Sequence, residues 1–158
     1  MNGPVSERYR RYVLGLLVVV FTVNYIDRQI LAILLPSIKK DMDLSDTQLG
    51  FLTGLAFAIF YVTMGIPAGR LADRVNRRSM IAWAIAAWSV MTAACGFAQN
   101  FLHLALARFG VGVGEAGCTP PAHSLIADYF EPARRPMALS IYLTGIAIGI
   151  LIGFMAGG

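Results

Sequence analysis

The stretch YVLGLLVVVFTVNYIDRQILAILLPSI, residues 12–38, sets the fold class. It is apolar almost throughout and longer than the ~20 residues a helix needs to cross ~30 Å of hydrocarbon. Arg8, Arg10 and Arg11 precede it, as a charged segment precedes the apolar core of a secretory signal. A signal would run on into small residues at a cleavage site. Here the chain reads Asn24-Tyr25-Ile26-Asp27-Arg28 and turns apolar again, so the stretch is one long first span.

Similar runs follow on either side of short polar breaks. Lys39 to Asp46 is polar, and Ser45 with Gln48 has the spacing of a capping box that starts a helix. The spans are expected at 12–38, 47–69, 79–98, 102–126 and 137–158, about five in all and each near the membrane requirement. Residues 1–11 form the N-terminal segment and 12–158 a partial transmembrane bundle. The short turn Gln99-Asn100 makes the third and fourth spans antiparallel neighbours. Pro120-Pro121 is expected to bend the second half of the fourth span. The fold class is therefore an all-α polytopic membrane protein.

Composition agrees. Of 158 residues, 57% are hydrophobic and 14% charged, against about 25% charged in a soluble domain; mean hydropathy is +0.64. The formal net charge of +4 does not point to nucleic acid, because Lys and Arg sit in short clusters between apolar runs. Those clusters give an orientation. Arg8, Arg10 and Arg11, then Arg70, Arg74, Arg77 and Arg78, then Arg134 and Arg135 all fall on one side. By the positive-inside rule that side is cytoplasmic, with the N-terminus. Opposite, Lys39 and Lys40 are offset by Asp41, Asp43 and Asp46. The expected location is a cell membrane, the inner one if the source is bacterial.

Cys95 and Cys118 lie in apolar segments and read as packing residues. His103 and His123 have no Cys or carboxylate at ligand spacing, so neither a metal nor another cofactor is expected. An intramembrane enzyme would need a nucleophile with a base in reach. Ser124 beside His123 is the nearest candidate, and adjacent helical residues do not face each other; the chain is read as no enzyme. Gly145, Gly149, Gly153 and Gly157 recur every fourth residue, a spacing that lets two membrane helices approach closely. The sequence stops at Gly157-Gly158 with no polar stop after the span, so a fragment or interrupted coding is expected. A truncated, non-transporting chain is one alternative.

Asp27, Arg28, Arg108 and Glu115 fall inside expected spans. A charge at the membrane centre costs ~2.5–3.5 kcal/mol on insertion scales, so such residues persist when paired or facing a wet cavity. Asp27 is about 22 Å from the start of its span and Arg108 about 9 Å from the opposite end, so their depths nearly coincide. Asn24 shares a helix face with Arg28, and Arg108 one with Glu115. These faces are expected to meet across a partly hydrated cavity. Desolvation favours a protonated carboxylate and a nearby cation favours an ionised one. Carboxylates that compete for arginines can therefore switch protonation between two facing states, the requirement of a proton-coupled carrier. An arginine freed in this way could hold an anionic substrate group. A fixed salt-bridge network that only locks the helices is the alternative.

The segment Gly69-Arg70-Leu71-Ala72-Asp73-Arg74-Val75-Asn76-Arg77-Arg78 resembles the signature between helices two and three of the major facilitator superfamily, Gly-x-Leu-Ala-Asp-Arg-x-Gly-Arg-Arg. The departure is Asn76 in place of glycine. Asparagine is the next most tolerant residue in a left-handed turn, so the loop shape is expected to survive. The resemblance implies a cytoplasmic gate latch: Asp73 touches a helix of the C-terminal half, with Gly69, Arg74, Arg77 and Arg78 in the same motif. Arg108-Phe109-Gly110-Val111-Gly112-Val113-Gly114-Glu115-Ala116 resembles the family's fourth-helix motif. The fifth span resembles part of the fifth-helix motif without its Gly-Pro step. The Asn24–Arg28 segment, Gly112–Gly117 and Cys118–His123 are most similar to spinster-like transporters, and the anion:cation symporters have similar segments.

This resemblance implies five of the six helices of an N-terminal half, with the C-terminal half of the same transporter as missing partner. It implies proton coupling through Asp27, Arg28 and Glu115, which the placement of charges in the spans joins in one cavity with Arg108 and Asn24. The partners implied are protons, the lipid bilayer and a small-molecule or lipid-like substrate, lysolipids and sphingolipid-like amphiphiles in spinster-like members. An organic-acid anion:cation symporter and a multidrug efflux carrier are the alternative functions.

Overall fold

A computed structural model describes residues 6–157; Met1 to Val5 of the N-terminal segment and Gly158 of the last span lie outside the described residues. All regular structure among the described residues is helical. The elements are α1 (Glu7–Met42), α2 (Asp46–Gly50), a π-turn (Phe51–Leu55), α3 (Ala56–Ala72), α4 (Arg77–Gly96), α5 (Phe101–Ala116), α6 (Thr119–Tyr129), a 3₁₀ turn (Pro132–Arg134) and α7 (Arg135–Gly157). By length and hydropathy, α1, α4 and the stretch Pro132–Gly157 could each cross a membrane.

The two other expected spans are made of consecutive helical pieces. The Ser45 capping box forms: its hydroxyl accepts from Gln48 N at 3.3 Å and its N–H donates to Gln48 Oε1 at 2.9 Å. The helix so started passes through the π-turn at Phe51–Leu55 into α3. The fourth span breaks at Gly117-Cys118, just ahead of Pro120-Pro121. Each proline lacks the N–H that would bond the carbonyl four residues earlier, so the ladder fails one turn before the prolines themselves.

Contacts divide the chain into two compact units, residues 1–33 with 122–158 and residues 34–121. In the first unit, α7 lies on the middle of α1, from Val18 to Ile33, along the glycine ladder. A Cβ on Gly145 would come 3.0 Å from Val18 O, and one on Gly153 2.6 Å from Gln29 Cβ. The small residues let backbone meet backbone, the packing expected of membrane helices. At one end of this unit Glu7 accepts from Arg134 Nη1 at 3.1 Å, and Tyr9 meets Tyr129 edge-to-face at 5.9 Å.

In the second unit, α4 and α3 both pack on α5. Gly114 admits Trp88 and Gly117 admits Ala84, where a Cβ would lie 2.8 and 3.2 Å away. Leu44, Leu52 and Leu104 form a buried cluster with Ile38 and Phe101 around it. The turn before α2 closes through Asp43, held at φ 51°, with Leu44 N donating to Lys39 O at 3.0 Å. That six-to-one bond is the Schellman cap of α1.

Candidate functional site

Five candidate cavity residues sit on two helices. In the first unit, α1 carries Asn24, only 4% exposed, and half-buried Asp27 and Arg28. The Arg28 guanidinium lies 5.1 Å from the centre of the Tyr25 ring, within cation–π range. In the second unit, α5 carries Arg108 at 5% exposure and Glu115 at 1%. Seven residues apart, the two share a face of α5, and both are buried. Glu115 lies one turn before Thr119, whose hydroxyl is 3.2 Å from Tyr61 Oη of α3.

The expected gate segment forms the end of α3, a tight turn and the start of α4. Arg74 N and Val75 N both donate to Leu71 O, at 2.9 and 3.0 Å. Asp73, Arg74 and Arg78 are exposed and Arg77 half-exposed. Among the described residues, nothing beyond its own helix backbone and chain neighbours lies within 4 Å of a Cβ built on Gly69. The left-handed conformation expected of Asn76 is not found. Its φ is −65° and ψ 112°, and its side chain caps α4, accepting from Arg78 N at 3.0 Å and Ser79 N at 3.4 Å. An asparagine that can satisfy two helix-start N–H groups gains more as an N-cap than as a turn residue.

An aromatic column in the first unit escaped the reading of charges. His123 of α6 meets Tyr142 of α7 edge-on at 5.6 Å, and Tyr142 stacks on Phe21 of α1 at 4.3 Å. Phe21 meets Tyr25 at 5.2 Å, and Tyr25 carries Arg28. The helical spacing of Phe21, Tyr25 and Arg28 was the available signal; the partners on α6 and α7 are set by tertiary structure.

An all-helical chain with apolar helices of membrane length, and with Arg108 and Glu115 buried on the helix α5, fits the class of membrane transporters. The model of the Major Facilitator Superfamily matches residues 17–158. The chain belongs to that superfamily, a family of transporters rather than enzymes, and to its spinster-like branch. It is 40% identical, over 91% of its length, to an MFS-type efflux pump of Mycolicibacterium smegmatis, of which it covers 34%. It is 33% identical over 97% of its length to protein spinster homolog 1 of Bos taurus, covering 29% of it. A crystal structure of a bacterial homologue of the human lysosomal transporter Spinster, inward-facing and occupied, superposes with a TM-score of 0.92 at 45% identity, over 97% of this chain and 33% of that one. The chain spans about a third of the length of these relatives.

Proposed function

We propose that the chain is part of a proton-coupled secondary carrier that works by alternating access on an amphipathic, anionic substrate such as a lysolipid. The reading rests on one observation above all: Glu115, 1% exposed, shares a buried face of α5 with Arg108. A carboxylate held away from water, with a guanidinium two turns away on the same face, can alternate between an ion-paired and a protonated form as its surroundings change. Glu115 carries the proton in this scheme, with Asp27 as a second acceptor. Arg28 and Arg108 either pair with these carboxylates or hold the substrate's anionic group. Asn24 supplies a neutral polar wall. The rest of the carrier supplies the opposite side of the pathway, and Asp73 with Gly69, Arg74, Arg77 and Arg78 latches its cytoplasmic end. The basic segments put the N-terminus in the cytoplasm, in a cell membrane.

The spinster homologues among the relatives support the lipid-like substrate. The likeness to an efflux pump favours a second reading, export of drug-like amphiphiles through the same pathway. Proteoliposomes of the full-length carrier would be offered lysolipids, hexuronate-like acids and cationic dyes, each with and without a pH gradient. Gradient-dependent movement of lysolipid supports the proposal. Movement of dyes alone favours efflux, and movement of the acids alone returns the organic-acid symporter.

A further inference from the structure

The second unit has a feature that proton coupling leaves unused. Because α3 and α4 both pack on α5, a furrow of about 800 Å³ lies between them. Its walls are Met64, Leu71, Trp83 and Ala87, and its floor is Val113 and Gly114 of α5. The lining is overwhelmingly apolar. Along α4 the furrow runs from Ser79 to Met91, a rise of about 18 Å. That is close to one leaflet, half of a ~30 Å hydrocarbon core.

The two ends differ. Val75 and Asn76 line the furrow where α3 turns into α4. In the sequence around that end the chain carries Arg70, Arg74, Arg77 and Arg78, with Asp73 among them. Trp83, 77% exposed, stands on the furrow wall about 9 Å along α4 from Arg77, the place of an interfacial aromatic. An apolar channel one leaflet long, ending at a turn whose residues Val75 and Asn76 are flanked in sequence by Arg74 and Arg77, is complementary to a molecule with a long hydrocarbon tail and an anionic head. Basic pockets at the ends of membrane helices take phospholipid headgroups in this way.

We propose that the furrow between α3 and α4 is a binding site for an anionic phospholipid of the leaflet on the arginine side. One acyl chain lies along Val113 and Gly114, and the phosphate is held at the turn carrying Arg74, Arg77 and Arg78. This site is separate from the transported substrate and ties the gate turn to the charge of the surrounding lipid.

Native mass spectrometry of the full-length carrier, released from bilayers of equal phosphatidylglycerol and phosphatidylcholine, tests it without any transport measurement. Failure of the carrier reading would therefore leave this result unaffected. Phosphatidylglycerol should be retained preferentially. The Arg77→Gln/Arg78→Gln double variant should lower the retained ratio about thirtyfold. Ala87→Trp and, from the opposite wall, Ala68→Trp should each abolish retention by filling the furrow. A photo-activated cross-linker in place of Trp83 should label lipid. Equal retention of both lipids, a ratio unmoved by the arginine variant, or cross-linking to another helix of the same carrier would each overturn the proposal.

Discussion

Replacing Gly149 by alanine adds one methyl where α7 lies closest to α1. Its Cβ would stand 2.6 Å from Thr22 O and 2.6 Å from Tyr25 Cβ. Ordinary carbon contacts are ~3.5–4.0 Å, so the two helices must part by about 1 Å. Thr22 O is a backbone atom and cannot rotate aside. Overpacking of this kind costs ~1–3 kcal/mol, and the helix propensity of alanine returns up to ~1 kcal/mol. The net loss is about 1–2 kcal/mol. Gly145, with a nearest contact of 3.0 Å, should lose less. Gly15, on α1 in the same unit, has no described residue outside its own helix backbone and chain neighbours within 4 Å of its Cβ position, so Gly15→Ala carries only the propensity gain. Thermal unfolding of the full-length carrier in detergent should therefore rank Gly149→Ala below Gly145→Ala, and both below Gly15→Ala. A Gly149→Ala protein as stable as Gly15→Ala would refute the close approach of these helices. Because Asp27 and Arg28 lie less than a turn beyond Tyr25, Gly149→Ala should also slow transport.

Asn76→Ala should destabilise by about 1 kcal/mol through loss of the α4 cap, and Asn76→Gly by only a few tenths; thermal unfolding separates them, and a Gly variant more stable than the native chain would favour a left-handed turn instead. Asp73→Asn should slow the conformational cycle more than it weakens substrate binding, read as exchange rate against equilibrium binding. Equal losses of both would argue against the latch role.

The helical, multi-span character was legible because apolar runs of membrane length leave few other folds. Helix starts were legible where a side chain makes the cap: Ser45 and Gln48 form theirs as their spacing implies. The π-turn at Phe51–Leu55 was not, since neither proline nor charge marks it. The prolines at 120 and 121 announced a bend; that the helix breaks, and does so at Gly117-Cys118, follows from which carbonyls lose their donors. Asn76 misled because its conformation depends on whether α4 starts beside it. In the site, Asp27, Arg28, Arg108 and Glu115 stood out because ionisable groups in hydrocarbon are costly. The column from His123 to Arg28 did not, because Phe and Tyr are ordinary in an apolar span and Phe21 meets Tyr142 only once α7 is packed on α1.

The central claim is that Glu115 carries the transported proton. Uptake by the full-length Glu115→Gln carrier, measured in proteoliposomes across an imposed pH gradient, tests it most directly. The variant should express and unfold like the native protein yet lose its response to the gradient. A response as steep as that of the unaltered carrier would place the proton on another residue.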